Sequence, residues 1–158
     1  MAHAVEAFVI GPPHRRKVMS AVATVRTCEL TSGLLLIPFT DELHDELLKR
    51  FPADADRPHP AFWKFSKSAE QFARALSADG AVAYLETEYF GGVGEQAAAV
   101  WRNGELVLSP SQADHPVNAA LRSLGVARGV RDDEFDVVGL GLHRHTADWA
   151  ERAIPVAG

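Results

Sequence analysis

The sequence holds a single cysteine, Cys28, so no disulfide can form within the chain and a reducing compartment, the cytoplasm by default, is its simplest home. Long apolar runs are missing as well. A bilayer-spanning helix needs about 18 consecutive apolar residues, none occurs, and no membrane association is expected. Basic residues are outnumbered: 16 lysines and arginines stand against 21 aspartates and glutamates, a formal charge of -5. Such a chain repels a polyphosphate backbone, whose binding rests on lysine and arginine, which disfavours a nucleic-acid partner. Internal repeats and low-complexity tracts are also absent. One feature imitates a twin-arginine leader, His14-Arg15-Arg16-Lys17 ahead of the apolar residues 18–25. Ser20 and Thr24 interrupt that apolar stretch, Arg26 and Glu29 close it, and no small-residue cleavage site follows, so it is not read as a signal.

What remains is ordinary globular composition, 47% hydrophobic and 23% charged over 158 residues, which predicts one domain spanning residues 1–158 around a real core. The expected class is α/β, with an α+β variant open: a single-layer mixed or antiparallel sheet of about five strands, packed by about three or four helices. Val5-Glu6-Ala7-Phe8-Val9-Ile10, stopped by Gly11-Pro12-Pro13, reads as the first strand. Residues 14–30 carry Val18, Met19, Val22 and Val25 at helical spacing and are assigned to a helix, although their β-branched content leaves a strand open. The apolar run 33–39 suits a strand covered on both faces. Thr40, Asp41 and Glu42 then start a helix that runs to about Phe51. Beyond a proline-rich loop at 52–60, Ser68-Ala69-Glu70-Gln71 fits a capping box for the next helix. A strand opens at residue 81, and a later one at 97–102 is joined to Glu105-Leu106-Val107-Leu108 through Asn103-Gly104, the dipeptide suited to a tight hairpin. Pro116 and Gly125 bracket a third helix, residues 133–140 a short one, and the tail after Trp149 carries few signals.

Chemistry-bearing residues concentrate at 86–96, Glu86-Thr87-Glu88-Tyr89-Phe90-Gly91-Gly92-Val93-Gly94-Glu95-Gln96. Glycine clusters cost backbone entropy and are kept where the backbone turns tightly or where something must approach it. The plain reading is a tight connection between antiparallel strands. The functional one is a ligand- or partner-binding loop made of Glu86, Glu88, Tyr89, Phe90, Gly91, Gly92, Gly94 and Gln96. Glu86 and Glu88, two apart on a strand, point to one face, as paired carboxylates must for metal binding or acid/base work. Gly92-Val93-Gly94-Glu95-Gln96-Ala97 formally matches a dinucleotide fingerprint. It leaves no room for the helix that must follow, and it lacks the lysine and hydroxyl of a phosphate loop, so no cofactor is expected. His143, His145 and Asp148 form a second candidate set with the donor types of a zinc or iron site. Cys28 has no adjacent base in sequence, Trp63, Trp101 and Trp149 are assigned to packing, and Asp132-Asp133-Glu134 with Asp136 reads as a solvated helix start.

The run 84–101, above all Glu86-Thr87-Glu88-Tyr89-Phe90-Gly91-Gly92 with Gly94 and Gln96, resembles a family of small bacterial proteins of uncharacterised activity that share an ETEYFGGxGxQ-like signature. Ile37-Pro38-Phe39-Thr40-Asp41-Glu42-Leu43 is a candidate second shared element. The resemblance implies no particular chemistry; by analogy, some small acidic proteins of this general appearance are immunity proteins that cover a toxin's active site. The expected function is therefore a non-enzymatic cytoplasmic interaction domain with another protein as partner, an immunity-type inhibitor being its narrower form and a homo-oligomer left open. The alternative is a small metal-dependent hydrolase using Glu86, Glu88, His143 and His145, which requires two groups distant in sequence to meet.

Overall fold

A computed structural model of the chain describes residues 3–11, 16–52, 62–90, 93–109 and 115–156. Strand β1, His3–Ile10, places Val5, Ala7 and Val9 on one face and Phe8 and Ile10 on the other, all buried. A strand apolar on both faces belongs inside a sheet that is covered twice. It does so here: helix α1 (Arg16–Ser20), strands β2 (Arg26–Glu29) and β3 (Leu35–Pro38), helices α2 (Asp41–Arg50) and α3 (Lys67–Leu76), then strands β4 (Val82–Phe90), β5 (Val93–Arg102) and β6 (Glu105–Leu108) follow along the chain. Helices α4 (Pro116–Ser123), α5 (Glu134–Val138) and α6 (Thr146–Arg152) and strand β7 (Ile154–Pro155) complete the described residues. The strands form one sheet in the order β6-β5-β4-β1-β3-β2-β7, and every neighbouring pair is antiparallel.

Two cores flank the sheet. Against one face, α1, α2 and α3 bury Met19, Leu43, Leu47, Phe72 and Leu76 on an aromatic floor that includes Phe8, Tyr84 and Trp101. Against the other, α4, α5 and α6 bury Val117, Leu121, Val138 and Trp149 on Val5, Val9, Leu85 and Val100. Alternation along β4 separates the two sides, Val82 and Tyr84 facing the first core and Ala83 and Leu85 the second.

The α/β class is shown, while its detail is richer than the sequence reading. Seven strands, not about five, and six α-helices, not three or four, are present among the described residues. The extra elements come from two places. Residues 14–30 are not one helix: α1 ends at Ser20, and β2 takes its place in the sheet through Cys28↔Leu36 and Glu29↔Leu35. A β-branched stretch with helical spacing follows whichever partner tertiary packing offers, here an open strand edge. The tail contributes β7, which pairs with Arg26 and Thr27. The cap of α3 is Ser66 rather than Ser68: the Ser66 hydroxyl accepts from the Ala69 amide at 3.2 Å, and Ser68 is buried within the helix. The acidic run is only partly solvated, since Asp133 caps α5 while Glu134 is buried and paired with Arg122 at 3.2 Å.

Other local expectations hold. Thr40 caps α2 by accepting from the Leu43 amide at 3.1 Å, and Asn103 and Gly104 adopt the positive φ angles of the predicted hairpin, 53° and 77°. Residues 93–102, which begin inside the formal dinucleotide fingerprint, are strand rather than helix. The prolines at 12–13 and nearly all of the 52–60 loop lie outside the described residues. No helix among the described residues is long and apolar enough to cross a membrane.

Candidate functional site

Strand alternation splits the 86–96 stretch between the two faces of the sheet. Glu86 points toward α2 and α3 and is fully buried. Its carboxylate accepts from the amides of Trp63 (2.8 Å), Lys64 (3.1 Å) and Phe65 (3.2 Å) and from the Tyr84 hydroxyl (2.6 Å). Burial pushes its pKa up while these donors pull against that rise. Tyr84 is pushed well above the usual phenol value, first by burial and then by the Glu86 charge, and so stays a donor. Every part of this arrangement is occupied in holding residues 63–65 against the sheet.

Glu6 pairs with Glu86 across β1 and β4 and shares its face. Burial raises the Glu6 pKa and Lys64 lowers it. The Lys64 ammonium donates to the Phe39 carbonyl at 2.6 Å, pairs with Asp41 at 3.1 Å and stands 5.0 Å from the centre of the Phe39 ring. Two residues further along β4, Glu88 and Glu95 stand opposite each other, both exposed. Like charges directly opposite on a sheet repel. The outer end of this face is therefore an acidic surface on which the neighbouring cation, Lys64, is already engaged.

On the opposite face, Thr87, Tyr89 and Gln96 turn toward α4 and α5. The Thr87 hydroxyl accepts from the Val5 amide at 3.1 Å and meets His3 Nδ1 at 2.7 Å, while His3 Nε2 donates to the Leu140 carbonyl at 3.1 Å. These partners define one neutral tautomer, and burial lowers the His3 pKa from its usual value. Gln96 donates to the Tyr89 hydroxyl and, through Oε1, accepts from the Val117 amide at 2.8 Å, satisfying a free donor at the start of α4. A cavity of about 280 Å³ lies between these residues and Asn118, Asp133 and Phe135. Asn118 donates to Asp133 at 3.0 Å and accepts from the Phe135 amide at 2.9 Å. His3 and Asn118 were not singled out in the sequence, and Asp133 was read there only as part of a solvated helix start, since all three reach Tyr89 and Gln96 only through tertiary packing.

The glycines of the stretch divide. A Cβ at Gly94 would run into the backbone of Glu88 and Tyr89, so close cross-strand approach accounts for that residue. Phe90 ends β4 in register with Val93; Gly91 and Gly92 lie outside the described residues.

The histidine set does not join the carboxylates. His143 packs edge-on against Trp149, ring centres 4.5 Å apart, in the core on the far side of the sheet from Glu86. His145 is exposed at the start of α6, and Asp148 lies within that helix. Among the described residues no three histidine, cysteine, aspartate or glutamate side chains are grouped to hold a metal ion. Cys28 is buried and its thiol donates to the Trp149 carbonyl at 3.2 Å; burial raises its pKa, with Arg152 opposing. A thiol held in this way is a poor nucleophile. No family model, curated protein or solved structure matches the chain.

Proposed function

We propose that this protein is a non-catalytic protein-binding domain that presents the acidic strand end at Glu88 and Glu95 to a basic partner, in the manner of an immunity-type inhibitor. The observation that carries this reading is the exposed pair Glu88↔Glu95, two like charges directly opposite on adjacent strands. Such a pair costs folding free energy, and a basic partner would relieve that cost on binding. The net charge of -5 adds longer-range steering toward such a partner. Glu86, the other carboxylate of the stretch, supports the surface from behind by fixing residues 63–65.

Charge reversal separates binding from folding. Glu95→Lys turns the like pair into an opposite pair and is expected to raise the unfolding free energy by about 1 kcal/mol. The double variant Glu88→Lys/Glu95→Lys is expected to lose a protein that the wild-type chain captures from its native cells and releases at high salt. Equal retention of that protein by the double variant, or a captured protein insensitive to salt, refutes the assignment.

A further inference from the structure

A cleft of about 660 Å³ lies far from the 86–96 stretch, where β7 pairs with Arg26 and Thr27 and leaves Cys28 and Glu29 beyond its reach. Side chains alternate along β2, so Cys28 and Glu29 point to opposite faces. On the Cys28 side the walls are Val138, Leu142, His143 and Trp149, with Arg152 at the rim. Two features of the lining fit a ligand. Leu142 is 76% exposed, a large apolar side chain left in water on the cleft's lining. Arg152 makes a 3.5 Å contact with the Asp148 carbonyl and has no carboxylate partner among the described residues.

We propose that this cleft binds a small amphipathic monocarboxylate, its apolar body against Val138 and Leu142 and its carboxylate paired with Arg152. The volume is that of an ordinary small-molecule site, mostly apolar with a few polar groups that set orientation. The lining holds one guanidinium and one carboxylate, Glu29, which points to the face opposite Cys28; a single guanidinium suits one negative charge rather than a phosphate dianion.

The test titrates the purified protein with octanoate, and with octanol as the uncharged control, by calorimetry and tryptophan fluorescence. Octanoate is expected to bind saturably and more tightly than octanol. Arg152→Gln is expected to weaken octanoate about tenfold, the scale of one charge-assisted hydrogen bond, and to leave octanol unchanged. Leu142→Asp, at an exposed position that folding does not depend on, is expected to abolish binding of both without changing the melting temperature. Trp149→Phe should remove the fluorescence response while Trp63 and Trp101 remain. Absence of saturable octanoate binding, octanol binding as tightly as octanoate, or octanoate affinity unchanged in both Arg152→Gln and Leu142→Asp overturns the proposal.

Discussion

Four donors converge on the Glu86 carboxylate, and truncation would strand all of them in the interior. Glu86→Ala is expected to lower the unfolding free energy by about 3–5 kcal/mol, the range for losing one partner of a buried charged network, read from urea denaturation. A loss under 1 kcal/mol, on the scale of an ordinary surface change, would show that residues 63–65 need no anchor. Glu46 plays a similar part in the turn after α1. It accepts from the amides of Ala23 (3.0 Å) and Thr24 (2.8 Å) and from the Thr24 hydroxyl (2.6 Å), and pairs with Arg50 at 2.7 Å. Burial pushes its pKa up, but the Thr24, Arg50 and Ala23 hydrogen bonds win and hold it at about 2. A depressed carboxylate contributes stability above its unfolded value, 4.5, and loses it as pH falls toward about 2. Glu46→Gln should therefore cost about 1–2 kcal/mol at neutral pH and progressively less below pH 4.5, in paired denaturation curves.

Among the elements, those with local signals were legible in advance. Thr40 announces α2, Asn103-Gly104 announces the β5–β6 hairpin, and Pro116 with Gly125 brackets α4, because each rests on contacts within a few residues. The start of α3 was misplaced by two residues, since both Ser66 and Ser68 offer a hydroxyl and only the path of residues 63–65, set by Glu86, decides between them. Ser66→Ala should cost about 1 kcal/mol as the loss of an N-cap; an unchanged melting temperature would return the cap to another residue. Gly94→Ala tests the close approach of β5 to β4. The added methyl meets backbone rather than a yielding side chain, so a loss of about 1–3 kcal/mol is expected, measured against the wild-type melting curve.

Over the whole molecule, opposing titrations shape the acid response. His3 and His44 have pKa values lowered chiefly by burial, so their contribution is complete above 6.5 and declines as pH falls below it. Glu6 and Glu86 have values raised by burial, and between those values and 4.5 their contribution grows as pH falls. Stability should decline gently from 6.5 to 4.5 and steeply below 4.5, where Glu46 begins to lose its contribution. A series of urea titrations across the acid range would reveal the two slopes. By itself the sequence determined what needs only composition or neighbours: no internal disulfide, no bilayer-length helix, an acidic balance, the capped starts and tight turn, and the shared face of Glu86 and Glu88. Tertiary structure alone decided that Glu86 is buried and used up while Glu88 faces water opposite Glu95, that Thr87 meets His3 across 84 residues of chain, and that His143 lies on the far side of the sheet from Glu86. Alternation along a strand is a property of consecutive residues, whereas what covers each face is chosen by helices distant in sequence that compete to bury apolar area.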